Sequence, residues 1–332
     1  MSGPTQLSVK LNLMESTTSR IKAWHMLLLL IAVCVIFVLY LAFGRAPHTQ
    51  GEVIKTFTPF AGLKLEASGV AAVEGSDGLL LVDNKRNAQV FWMQLDQNGN
   101  QSGEIKSIDL GVDIEDIEGI TEDGKYFYVV SSQSRPKAIA SLGLVRFKFD
   151  ARSQSAQEIA SIGGLKDFLL ANVDELRAEG ERKGKEGGIN IEGLAWDPRK
   201  SRLLIGLRSP IVEGNALLVP LELRDPQGPF SLDNLQVENK KAIKLDLGGI
   251  GIRSIEYDQR SSGFKIISGA AEDQKQTDFG LWEWNGDEKQ GVLRLTKKFE
   301  KNLKPEGVAR VVVGKRDFLI VVFDAGGYTI VN

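Results

Sequence analysis

The sequence predicts an all-β, five-bladed β-propeller preceded by one N-terminal transmembrane helix, with a six-bladed ring as the alternative. Three observations carry that expectation. Five short segments, each centred on a small polar or acidic residue, open strand-like runs at Ser68-Gly69-Val70, Glu118-Gly119-Ile120, Glu192-Gly193-Leu194, Ser254-Ile255-Glu256 and Glu306-Gly307-Val308. Successive centres lie 50, 74, 62 and 52 residues apart, about one blade per interval with two intervals enlarged by insertions. Residues 24–43 (WHMLLLLIAVCVIFVLYLAF) are continuously apolar except for His25, long enough for a helix to cross a bilayer core.

The chain therefore divides in order. Lys10, Arg20 and Lys22 precede the apolar run and only Arg45 follows closely, which places residues 1–23 in the cytoplasm and the bulk outside, in the periplasm if the source is bacterial. A cleaved signal peptide with Ala42-Phe43-Gly44 as its processing site is the rival reading. A polar linker spans 44–51, and the propeller takes 52–332. Its second repeat is the clearest: IEGIT, YFYVVSS, LVRFKFD and a weaker strand ending near Ile162, separated by Gly, Asp and Pro turn signals. The last repeat stops after three strands, so residues 52–60 (EVIKTFTPF) are expected to supply its fourth and close the ring. A sixth blade would have to hide between Glu118 and Glu192. There, Leu165, Phe168, Leu169, Val173 and Leu176 fall at helical spacing, predicting a helical insertion over about 163–188, either a lid at the channel mouth or a helix on the side of the barrel.

Composition removes several chemistries. Both histidines, His25 and His48, and the single cysteine, Cys34, precede the repeats, which excludes a Ser-His-Asp triad, a thiol nucleophile and a histidine-ligated zinc there. A net charge of -2 with interspersed signs offers no basic stripe, so nucleic acid is not an expected partner. Oxygen chemistry remains. The first strand of a blade lines the central channel, which would gather Ser68, Glu118, Glu192, Ser254 and Glu306 into one inward layer. Three converging carboxylates need shared protons or a cation, and an all-oxygen donor set suits a hard ion, Ca²⁺ before Mg²⁺. The alternative is that Glu-Gly is blade grammar, with each Glu bonding the backbone of the next blade.

Because strands one and two form a hairpin, the ends of the second strands return to the same rim. Lys85, Arg86, Arg135, Arg208 and Arg253 are the candidates there to hold an anionic substrate, and Asp83, Asp116 and Asp324 to orient water.

The ordered series Ser, Glu, Glu, Ser, Glu at these unequal spacings resembles the calcium core of the five-bladed calcium-activated nucleotidases (apyrases), and the Glu-Gly-Ile/Leu motifs resemble a bacterial propeller family with phytase-like and esterase-like members. The resemblance covers about residues 52–332. It implies a central Ca²⁺ held by Ser68, Glu118, Glu192, Ser254 and Glu306. In the first blade of the nucleotidases an acidic turn handles phosphates; the matching stretch here is residues 83–87, where Asp83 agrees and Asn84 replaces the second acid. Three functions follow as expectations: a membrane-anchored, calcium-assisted hydrolase of phosphate esters, anhydrides or related anionic esters; a non-catalytic propeller binding a small anion or an envelope protein; or a scaffold for membrane partners.

Overall fold

Runs such as GLLLVD (Gly78–Asp83) and FYVVS (Phe127–Ser131) have apolar side chains on both faces, and both faces are buried because each blade is packed between two others. Thus Leu79 and Leu81 enter one apolar layer with Val311 and Ile320, whereas Leu80 and Val82 enter another with Ile120 and Phe127. The computed structural model of the chain describes residues 52–178, 182–275, 278–289 and 291–331. The expected cytoplasmic tail, apolar run and linker lie outside the described residues, and among those no helix is long and apolar enough to cross a membrane.

Five antiparallel sheets form the blades. Their inner strands are Ala67–Ala72, Ile117–Glu122, Asn190–Asp197, Gly251–Asp258 and Pro305–Val313, and each lies beside the next, the fifth beside the first. Five apolar layers fill the five interfaces between neighbouring blades. Blade three splits its outer edge between Leu235–Gln236 and Ile243–Leu245, both paired with Ala216–Leu223.

The ring closes as expected. Thr58–Pro59 pairs antiparallel with the last strand, Thr58 opposite Tyr328 and Pro59 opposite Gly327, and completes blade five. The same segment does more than the repeat pattern indicated, because Glu52–Ile54 runs parallel to Leu293–Phe299 as a fifth strand of blade four. Between blades two and three the helix is Leu165–Asn172, and its Leu165, Phe168 and Leu169 are buried in the apolar layer between those blades. The helix is a packing element on the side of the ring, not a lid. Only the end of the insertion reaches the rim: an added Cβ at Gly184 would meet Ser134 at 2.7 Å, and Ser209 Oγ donates to the Gly188 carbonyl at 2.6 Å.

Candidate functional site

Every inner strand carries a β-bulge at its channel-mouth end. In blade one Ala67 faces Asp83 and Gly69 faces Val82, leaving Ser68 without a cross-strand partner. The same irregularity isolates Glu118 between Ile117 and Gly119, Glu192 between Ile191 and Gly193, Arg253 between Ile252 and Ser254, and Glu306 between Pro305 and Gly307. A bulge re-aims the extra side chain and bends the strand. Where the residue after it is glycine, two inner strands approach closely: an added Cβ at Gly119 would sit 2.9 Å from the Leu194 side chain, and at Gly307 it would meet Val70 at 3.0 Å.

This register corrects the sequence reading in blade four. Arg253, not Ser254, is the fifth member of the ring, and Ser254 stands in the column held elsewhere by Gly69, Gly119, Gly193 and Gly307. Alternation by two places Ser254 inward only if the strand is regular, and the bulge breaks that regularity. Ser254 Oγ instead accepts the Val308 backbone N–H at 3.2 Å, and Ser68 Oγ donates to the Ile117 carbonyl at 2.7 Å, so both serines tie neighbouring blades together.

Glu118, Glu192, Glu306, Arg135, Arg208, Arg253 and Asp324 do converge, on a polar cavity of about 390 Å³ at the mouth. Arg253 is buried and forks onto Glu306, its Nε donating to Oε2 at 2.7 Å and its Nη2 to Oε1, while its Nε lies 3.4 Å from Glu192 Oε2. Arg208 Nη1 donates to Glu192 Oε1 at 2.8 Å, and Asn190 Nδ2 reaches the same oxygen at 3.3 Å. Asn84 Nδ2 donates to Glu118 Oε1 at 3.2 Å. Two buried acceptors, Glu192 Oε2 and Asn190 Oδ1, have no hydrogen-bond partner.

Burial, with the charges of Glu192, Asp116 and Glu306, holds Glu118 well above the usual carboxylate range and favours its protonated form. Burial also raises Glu306 to about 7, even though Arg253 pulls it down. Desolvation works against the Arg253 charge, but Glu192 and Glu306 outweigh it and keep the guanidinium cationic. Glu192 and Glu306 face two guanidiniums, Arg208 and Arg253. The ring has its counter-charge built in, and a fixed guanidinium in the donor ring together with committed serine hydroxyls does not fit a divalent cation.

Of the other expected site residues, Asp83, Lys85, Arg86 and Asp116 do not line this cavity. Asp83 is buried in its own turn, accepting the backbone N–H groups of Glu66 and Lys85, and Lys85 pairs with Glu66 on the surface. Arg86 donates to the Lys64 carbonyl and lies over Phe91. Asp116 is held by Ser132 and by Arg135 Nη2 at 2.5 Å, behind the cavity wall. Asp324 lines the cavity, where the effect of burial is outweighed by a 2.9 Å bond from Lys304 that keeps its carboxyl low. Lys301, Gln274 and Ser134 also line the mouth, and nothing in the repeat pattern singles them out because they sit in loops between strands.

Residues 165–328, which run from the insertion helix into blade five, match the model of a family described as "Protein of unknown function (DUF3616)". No curated protein matches the chain. Among solved structures, hydrazine synthase of Kuenenia stuttgartiensis is similar at 12% identity over 77% of this chain and 61% of that one, with a TM-score of 0.38. The holo pyranose dehydrogenase PQQ domain from Coprinopsis cinerea is similar at 11% identity over 84% of this chain and 97% of that one, with a TM-score of 0.45. The chain thus spans about 61% of the length of the hydrazine synthase chain. Likeness at this level says nothing about chemistry.

Proposed function

We propose that the channel mouth binds a small, highly polar molecule carrying both hydrogen-bond donors and an anionic group, and that the propeller presents this site outside the cytoplasm from an N-terminal membrane anchor. The observation that carries the reading is a pair of buried acceptors beside a polar cavity, Glu192 Oε2 and Asn190 Oδ1, that receive no hydrogen bond among the described residues, Arg253 approaching the first only to 3.4 Å. A buried acceptor without a partner costs about 1–3 kcal/mol, which an ammonium or hydroxyl group of a ligand would recover. The exposed cations at the rim, Arg135 and Lys304, flank the position an anionic group would take. Hydrolysis assisted by calcium draws no support from this arrangement, since Arg253 stands in the ring and Asp83, Lys85 and Arg86 are engaged in the first-blade turn.

The test is calorimetric titration of the full chain in mild detergent with zwitterionic amino acids, hydroxy acids and neutral sugars. Saturable heat from a molecule bearing both donors and an anion is expected, with affinity falling about tenfold or more in Glu192→Gln. No binding by any member of the panel, or equal binding by Glu192→Gln, would overturn the reading. A catalytic version has one specific observation in its favour: Glu118, held protonated, lines the same cavity as the unpartnered oxygen of Glu192, an acid and a base available to one ligand. It predicts conversion of the bound molecule that is lost in both Glu118→Gln and Glu192→Gln.

A further inference from the structure

A second cavity, of about 430 Å³, opens away from the channel between blades two and three. Its centre is Arg146, on the strand Leu144–Asp150. The guanidinium is clamped between two rings, 4.7 Å from the centroid of Tyr126 and 4.6 Å from that of Phe230. Contact with the rings leaves the N–H edge for other partners. Arg146 Nε is buried without an acceptor, and the guanidinium touches the Tyr128 hydroxyl but makes no ion pair among the described residues. Two positions along the same strand Lys148 has the ordinary arrangement, a 2.5 Å pair with Glu158.

A second guanidinium lines this cavity with acids around it. Arg202 is almost fully buried, its Nη2 engaged by Glu288 and 3.5 Å from Asp197 Oδ2 and its Nη1 3.9 Å from Glu238 Oε2, while its Nε donates no hydrogen bond among the described residues. The acids that line the cavity itself are engaged elsewhere: Asp123 accepts from Tyr128 Oη at 2.7 Å and from the backbone of Lys125 and Tyr126, and Glu222 accepts from Gln236. The wall is preorganised. Tyr128 and Trp196 stack at 6.5 Å with their planes 3° apart. The loop that carries Phe230 is pinned by Asn234, whose Nδ2 bonds the Asp225 and Pro229 carbonyls and whose Oδ1 accepts the Asp225 N–H, all at 2.9 Å.

A guanidinium edge that no acid meets, that of Arg146, set in a rigid aromatic cleft, matches an oxyanion on a flat or apolar body. We propose that this cleft is a binding site for such a carboxylate or phosphate, distinct from the polar mouth. The experiment titrates the full chain with benzoate, phenyl phosphate and, as the uncharged control, benzyl alcohol, following tryptophan fluorescence and heat. Saturable binding of at least one anion and none of the alcohol is expected, and the preferred anion identifies the ligand class. Arg146→Gln should weaken binding about tenfold or more, and Arg208→Gln at the mouth should leave it unchanged. Should Arg146→Gln fold poorly, Phe230→Leu, which opens the clamp and keeps the charge, should weaken binding as well. The proposal fails if neither anion saturates, if the alcohol binds equally, or if binding follows Arg208 instead of the clamp.

Discussion

Arg253 and Glu306 occupy the same bulged position in consecutive blades, and the guanidinium meets the carboxylate edge-on, with Nε donating to Oε2 at 2.7 Å. Through its contact with Glu192 the same side chain serves two carboxylates. Its removal leaves Glu306 buried without its counter-charge and Glu192 with Arg208 alone. Arg253→Met should therefore cost about 3–5 kcal/mol in urea unfolding, seen as a lower midpoint with an unchanged slope. Arg253→Ser tests the electrostatic account more directly. It leaves three carboxylates at the bulged positions with only Arg208 beside Glu192, so Ca²⁺ should raise the melting temperature of Arg253→Ser and leave the parent protein unaffected. Equal calcium stabilisation of both would mean that the guanidinium is not the counter-charge.

The raised carboxyls give stability a definite pH dependence. Glu306 at the mouth and Glu122 at the other end of the channel are both lifted from 4.5 to about 7, chiefly by burial. Each binds its proton more tightly folded than unfolded. Its contribution is full below about pH 4.5 and is lost as pH rises through about 7. Acids that the fold lowers act in the opposite sense: at Asp258 burial is outweighed by Arg310, and that contribution disappears on acidification below 3.8. Stability should therefore peak on the acid side of neutrality. Glu122→Gln should raise the urea midpoint at about pH 8 more than at about pH 5 and flatten the slope between them. A midpoint that climbs steadily from pH 5 to pH 8 would contradict the assignment.

How far the sequence reveals this architecture depends on which residues carry the repeat. Glu118, Glu192 and Glu306 are legible because each precedes a glycine that the ring geometry demands, and three Glu-Gly pairs at blade spacing are a periodic signal. Blade four has neither residue. In Ile252-Arg253-Ser254-Ile255 two polar side chains compete for the inward position, and the choice depends on a bulge set by pairing with Ser268 and Ile267. Aligning the small residues instead of the acids, with Ser254 beside Gly193 and Gly307, would have placed Arg253 in the ring. The rim was harder still. Residues 83–86 were legible as a rim turn, but only Asn84 turns inward, because Asp83 is spent on the turn's own backbone and Arg86 reaches back to Lys64.

The closing strap can be tested at its aromatic anchors. Phe57 packs against Phe323 at 5.6 Å between centroids, and Phe60 stacks on Tyr328 at 5.8 Å. Both rings are half-buried, so Phe57→Ala and Phe60→Ala should each cost about 1–3 kcal/mol, below the value for a fully buried ring. Gly327→Ala should act through the same contact, since its Cβ would lie 2.3 Å from Phe57. Loss of the strap exposes the last strand, so the double variant should aggregate near its melting temperature, measurable by light scattering. A double variant that melts like the parent and stays monodisperse would show that the strap is dispensable.

The proposed membrane anchor is residues 24–43, whose apolar length suits a bilayer and whose flanking charge is concentrated on the N-terminal side. A retained anchor and a cleaved signal peptide make different predictions from the same sequence. In the first case the full-length protein stays with the membrane pellet through alkaline carbonate and is released by detergent. In the second it is soluble and shortened by about the first 44 residues. In both, a reporter active only outside the cytoplasm and fused after Asn332 should give signal. An intact fusion that remains silent would place the propeller on the cytoplasmic side and reverse the orientation read from Lys10, Arg20 and Lys22. The ligand pool available to the mouth and to the Arg146 cleft would then be cytoplasmic.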